Sequence, residues 1–108
     1  SYVLTTKNLS DEIIAFATPP TITIDTQENI TYNNGSVNFS FTVSAVNYPI
    51  NYSVFVENQL FFSKISSQEI SDSIMLNLSN GVNAVLVQST DRNNNKAYAQ
   101  LLLNVTLK

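Results

Sequence analysis

The chain has no cysteine and no histidine among its 108 residues. Without thiols there is no disulfide framework and no thiolate metal site. Without imidazole the usual titrating side chain between about pH 5 and 8 is missing. Neither absence assigns a compartment, since many secreted β-domains hold together without disulfides. Charge is scarce too: eight carboxylates against five cations give a net charge of −3, and charged residues make up 12% of the chain, half the usual ~25%. So few cations leave no basic patch for nucleic acid and no polybasic membrane anchor. So few carboxylates suit an acidic or variable medium. No apolar run approaches the roughly 18 residues of a membrane-spanning helix, and no membrane span is expected.

The polar surface must therefore be uncharged. Fifteen asparagines, 13 serines and 10 threonines account for more than a third of the chain. The apolar fraction of 44% is that of an ordinary globular fold, and the length suits one domain with its own core. Disordered chains lack such a complement of aromatic and β-branched residues.

Apolar residues recur with period two, and no stretch carries a convincing helical period. Val37, Phe39, Phe41 and Val43 alternate with Asn38, Ser40 and Thr42. Tyr52, Val54 and Val56 alternate with Asn51, Ser53, Phe55 and Glu57, and Ile74, Leu76 and Leu78 with Met75 and Asn77. Further strands are expected at 21–25, 60–64, 82–90 and 96–107. Turn chemistry separates them at Asn33-Asn34-Gly35, Asn47-Tyr48-Pro49, Asn80-Gly81 and Asp91–Asn95. About seven short strands, each with one wet face, predict an antiparallel β-sandwich. The last hairpin can be registered: with Thr90 opposite Lys96, Val85 faces Leu101, Val87 faces Ala99 and Ser89 faces Ala97. A slip of one residue would bury Gln100 and Asn104 instead. Phe39, Phe41, Val54, Leu76, Val85, Val87 and Leu101 form the expected core.

Seven Asn-X-Ser/Thr triplets start at Asn8, Asn29, Asn34, Asn38, Asn51, Asn77 and Asn104, none with proline at X. The same composition shuffled would give roughly three. A polar strand face makes such triplets unaided, because positions i and i+2 share a side. Placement is the better guide. Asn38, Asn51, Asn77 and Asn104 fall opposite the apolar residues of their strands and Asn34 falls in a turn, where a bulky glycan has room. All seven are candidate acceptors of covalent N-linked glycan.

Other chemistry has little to stand on. Asp91-Arg92-Asn93-Asn94-Asn95 copies the first half of a calcium loop, but Lys96 replaces the glycine and Leu102 the glutamate that such a loop needs. It reads as a hairpin turn. Asp11-Glu12 and Asp25 with Glu28 have no histidine or cysteine beside them and read as solvated strand ends. A lysine–asparagine crosslink through Lys7 or Lys64 is not expected, because the registered asparagines face outward. No metal, cofactor or catalytic residue is expected, and no acid–base or nucleophile arrangement supports an enzyme.

Two features remain. Phe55, Leu86, Tyr98 and Leu102 gather on the outward face of the later strands and predict a contact face. Residues 1–18 precede the sandwich pattern and are too apolar for a linker, with Tyr2, Val3, Leu4, Leu9, Ile13, Ile14 and Phe16. They can form an extra edge strand on their own sandwich. They can equally be donated to a neighbour's sheet, with Ile14 and Phe16, or Ile13 and Ala15, filling its groove.

Residues 78–107 resemble the closing strands of immunoglobulin-like modules in bacterial and archaeal surface proteins. Gly81, Asn83, Val85, Val87, Thr90 and Asp91 stand where that pattern has them, and Pro19-Pro20-Thr21-Ile22-Thr23-Ile24 is similar to its opening. The glycine usual in the last turn is replaced by asparagines, which tolerate positive φ better than other residues. The resemblance implies an all-β, immunoglobulin-like antiparallel sandwich over 19–108, preceded by an extension over 1–18, in an extracellular, cell-surface setting. A spare strand before the sandwich is also similar to the layout of archaeal filament subunits joined by donor-strand exchange. The expectation is a non-enzymatic, glycosylated structural subunit that binds other copies of itself head-to-tail. The alternative is an immunoglobulin-like spacer or adhesion module of a larger surface protein.

Overall fold

A computed structural model describes residues 13–107. Eight strands follow in chain order: β1 (Thr21–Ile24), β2 (Thr31–Tyr32), β3 (Ser36–Ser44), β4 (Ile50–Val56), β5 (Gln59–Ser66), β6 (Ile70–Asn77), β7 (Gly81–Thr90) and β8 (Lys96–Val105). They form two sheets, β1-β3-β6 and β2-β8-β7-β4-β5. Every pairing is antiparallel except β2 with β8, which is parallel. The fold is the expected immunoglobulin-like sandwich.

The closing hairpin pairs residue for residue as the pattern requires: Thr90 with Lys96, Ser89 with Ala97, Val87 with Ala99 and Val85 with Leu101. Two elements differ from the expectation. β2 is an added strand of two residues, too short to show any alternation, and it exists because Thr31 and Tyr32 find Asn104 and Val105 beside them. Glu57, expected to continue the alternation of β4, instead forms a two-residue turn with Asn58. Both have positive φ (48° and 65°), the backbone whose twist matches a hairpin. The turn is held from β7: the Glu57 amide donates to the Ala84 carbonyl at 2.9 Å and its Oε1 accepts from the Ala84 amide at 3.3 Å. Gly35 has a different necessity. A Cβ there would lie 2.5 Å from the Leu78 carbonyl oxygen, on the crossing where the Leu78 amide donates to the Gly35 carbonyl at 2.8 Å.

All seven expected core residues are buried, joined by Val37, Val43, Ile50, Tyr52, Leu78, Leu103 and Val105. Phe39, Phe41, Tyr52 and Phe62 form an aromatic chain through the core with centroid separations of 5.6, 5.8 and 6.1 Å. The Phe41–Tyr52 step crosses between sheets edge to face, a geometry favoured by ring quadrupoles. Beyond it the Tyr52 hydroxyl donates to Asp72 Oδ2, on β6 of the other sheet, at 3.1 Å. Burial, reinforced by the hydrogen bond and negative charge of Asp72, pushes the Tyr52 pKa up to about 12.

Two variants test this core. Phe41→Ala is expected to destabilise by about 3–5 kcal/mol, seen as a lower urea midpoint with an unchanged slope. Because the native state keeps the Tyr52 proton after the unfolded chain has lost it, that contribution is complete below pH 10 and disappears as pH rises toward 12. The melting temperature of the parent chain should therefore fall more steeply between pH 10 and 12 than that of Tyr52→Phe.

Candidate functional site

The six described sequon asparagines, Asn29, Asn34, Asn38, Asn51, Asn77 and Asn104, are all exposed; Asn8 lies outside the described residues. Strand parity explains four of them. Asn38 and Asn77 sit on the outer face of the three-stranded sheet, opposite Met75 and Ser36 respectively. Asn51 and Asn104 sit on the outer face of the five-stranded sheet. Asn51 lies between Ile65 and Thr90, and Asn104 between Val82 and Thr31. Asn34 occupies the turn before β3, where its Oδ1 accepts from the Ser36 amide at 2.9 Å. Asn29 takes a left-handed backbone (φ 63°) in the loop before β2. It shares a shallow cleft with Ile30, Val82, Leu102 and Asn104.

The expected apolar contact face is partly assembled. Phe55 pairs with Leu86, and Leu102 lies diagonal to Leu86 across the β7–β8 ladder. Phe55 and Leu86 are half-buried, whereas Tyr98 and Leu102 are exposed. Tyr98 pairs with Gln88, so a polar neighbour borders it. Leu60, exposed and in register with Phe55, and Val82 extend the face and were not anticipated. Val82 was legible, since the hairpin register puts it opposite Asn104. Leu60 was not, because a bulge between Val54 and Phe55 shifts the β4–β5 register.

Residues 13–17 form a helical turn, not the extended strand expected: the Ala17 amide donates to the Ile13 carbonyl at 3.1 Å, and Thr18 Oγ1 donates to the Ile14 carbonyl at 2.6 Å. The reason lies far away in sequence. Asn47 Nδ2 donates to the Ala15 carbonyl at 2.7 Å, and Asn95 and Asn93 Nδ2 donate to the Phe16 carbonyl at 2.6 and 3.4 Å. These amides satisfy carbonyls that a strand would have paired with a sheet edge. Ile13, Ile14 and Phe16 stay 60%, 67% and 59% exposed, and Ala15 is half-buried. The earlier part of the extension lies outside the described residues.

Asp91 organises the same end. Its nearly buried carboxylate accepts from the Asn93 and Asn95 amides at 2.9 and 2.8 Å and from Asn95 Nδ2 at 2.9 Å. Asn94 turns the chain with φ 67°. Burial opposes ionisation of this carboxyl, but the bonds from Asn95, Asn93 and the Asn47 side chain outweigh it and hold its pKa below the ordinary 3.8. The calcium-like spacing is thus an asparagine-clamped turn in which both Asp91 oxygens already have donors. Asn83, from the Gly-X-Asn pattern, plays a similar part in the β6–β7 turn. Its Nδ2 donates to the Ser79 and Gly81 carbonyls and its Oδ1 accepts from the Ser79 amide. Asn47 and Asn83 are the buried asparagines among the described residues, and Asn93 and Asn95 are half-buried.

No protein-family model and no curated protein matches the sequence. By structure, the chain is similar to the fibronectin(III)-like modules of Clostridium thermocellum CbhA, with a TM-score of 0.65 and 14% identity over 83% of this chain. It covers 48% of that structure, about half its length. It is similar as well to the CARDB domain of a Pyrococcus furiosus protein in complex with di-metal ions, with a TM-score of 0.65 and 12% identity over 84% of this chain and 96% of that one. At such identities the shared property is the fold, an immunoglobulin-like β-sandwich. Among the described residues here, no three or more acidic, histidine or cysteine side chains come together as a metal site would require.

The Asp91 clamp makes a testable contribution to acid stability. A carboxyl whose folded pKa is depressed stabilises the native state above its unfolded value and loses that effect as pH falls through the folded value. Asp91→Asn should therefore lower the melting temperature at pH 7, and the gap from the parent chain should narrow on acidification below pH 3.8. Thermal unfolding of both proteins from pH 7 to pH 2 measures it; a constant gap would mean the carboxylate charge contributes nothing.

Proposed function

We propose that this chain is a non-catalytic immunoglobulin-like module of an extracellular cell-surface protein, serving as a glycosylated spacer. The observation that carries the spacer reading is the path of the chain. It enters β1 beside the β3–β4 and β7–β8 loops, where Asn47, Asn93 and Asn95 hold residues 15 and 16. It leaves β8 at the opposite end, where the Thr106 amide donates to the Tyr32 carbonyl and the Leu107 amide to Asn80 Oδ1. A module threaded end to end adds its full strand length to whatever chain contains it. The surface supports a glycosylated, extracellular setting: exposed sequons on both sheets, and few charges to keep the protein in solution. No described helix is long and apolar enough to cross a membrane. Peptide mass spectrometry of native material, released by brief protease treatment of intact cells, should find glycan on Asn38, Asn51, Asn77 and Asn104. Four bare asparagines would refute the glycosylated reading, and release only after lysis would refute the surface location.

A second reading has copies of the chain joined head-to-tail through the N-terminal extension, and one observation favours it. Ile13, Ile14 and Phe16 stand largely exposed on a single turn, which is unfavourable in water and invites a partner. Donation as a strand would require that turn to unwind and release Asn47, Asn93 and Asn95. On this reading the purified chain polymerises, and Ile14→Asp or Phe16→Asp abolishes polymers without lowering the melting temperature. A monodisperse monomer of the parent chain at high concentration would overturn it.

A further inference from the structure

Large apolar side chains left in water on the outer sheet faces call for an explanation, and three of them share a neighbour of one kind. Met75, Ile65 and Val82 are 57%, 67% and 63% exposed. Each stands directly opposite a sequon asparagine on the neighbouring strand: Met75 opposite Asn38, Ile65 opposite Asn51 and Val82 opposite Asn104. Directly opposed residues in an antiparallel ladder have Cβ atoms about 4.5–5.5 Å apart, so whatever is attached to the asparagine starts within reach of the apolar neighbour.

The Asn104 position is the most developed. Leu102, 50% exposed, lies two residues earlier on the same face, and Ile30, 40% exposed, comes from the loop before β2. With Val82 they line the cleft that Asn104 and Asn29 border. Glu28 borders the cleft, its Oε2 accepting from the Leu102 amide at 3.3 Å; its other carboxylate oxygen has no hydrogen-bond donor among the described residues and can accept from a hydroxyl or amide. A pyranose ring has a face of C–H groups and a rim of hydroxyls. Such an object covers apolar side chains with the one and meets carboxylates and water with the other.

We propose that these apolar residues are seats for N-linked glycan: the first sugar on Asn104 lies in the cleft on Val82, Leu102 and Ile30, and those on Asn51 and Asn38 cover Ile65 and Met75. This inference rests on the glycosylation reading above and goes beyond it, making the sugar part of the folded surface instead of a solvated appendage. Asn77 differs in that its directly opposed residue is Ser36; the exposed Leu60 and Phe61 line a second cleft beside it.

The test uses the full chain secreted from a eukaryotic host that attaches N-acetylglucosamine-linked glycan, compared with the same chain made without glycosylation. Mass spectrometry first establishes occupancy, and thermal unfolding then reads stability. Asn104→Gln should lower the melting temperature by several degrees in the glycosylated protein and leave the unglycosylated protein unchanged. In the Val82→Thr background the glycan-dependent loss at Asn104 should shrink. A bare Asn104 would overturn both the seat and glycosylation at that site. An occupied Asn104 whose loss shifts both forms equally, or whose effect ignores Val82→Thr, would overturn the seat and leave glycosylation standing.

Discussion

Phe41 and Tyr52 meet across the two sheets at 5.8 Å, edge to face, and the Tyr52 phenol carries the contact on to Asp72 of the opposite sheet. The arrangement of the outer surface follows from this closure of one sheet on the other. Successive strand residues point to opposite sides, so turning Phe39, Phe41, Tyr52, Val54, Leu103 and Val105 inward turns Asn38, Asn51 and Asn104 outward. Shifting any of these strands by one residue would bury an amide without partners and expose an aromatic or branched side chain. Both penalties act together, which is why the register is so tightly set.

The surface that results is unusual in its means of solvation. Charged groups are few, and amides and hydroxyls take their place. Many of these polar groups hold one another: the Ser40 and Ser73 hydroxyls lie 2.8 Å apart, and those of Thr42 and Ser71 2.9 Å apart, across the β3–β6 pair. At the loop ends the same residue types act structurally, because an asparagine amide both donates and accepts. Asp91 with Asn47, Asn93 and Asn95 closes one end, and Asn83 knits the turn at the other. A histidine-free, cysteine-free domain thus secures its loops largely with neutral amides, gathered at one end around Asp91, whose pKa they hold down.

The same end-closing network fixes how the segment before β1 meets the sandwich. Three asparagine amides from two loops grip two carbonyls of the 13–17 turn, so the incoming chain is seated on the domain. Thr106 and Leu107, after β8, are likewise tied to Tyr32 and Asn80. Attachments at opposite ends define an axis, and the exposed asparagines are distributed around its sides.

Much of this was readable along the chain, because alternation is a local property. The sandwich class, the inward set from Val37 to Val43, the full pairing of β7 with β8 and the outward parity of Asn38, Asn51, Asn77 and Asn104 all follow from period two plus turn residues within a few positions. Everything that depends on which distant segment lies alongside was decided by the tertiary structure. β2 exists only because β8 passes beside it. The Glu57–Asn58 turn and the bulge after Val54 set the register that brings Leu60 to Phe55, and the pairing of β3 with β6 brings Met75 to Asn38. The 13–17 segment has a composition compatible with a strand. It is a helical turn because amides from positions 47, 93 and 95 reach its carbonyls, and no local pattern records the arrival of donors from so far along the chain.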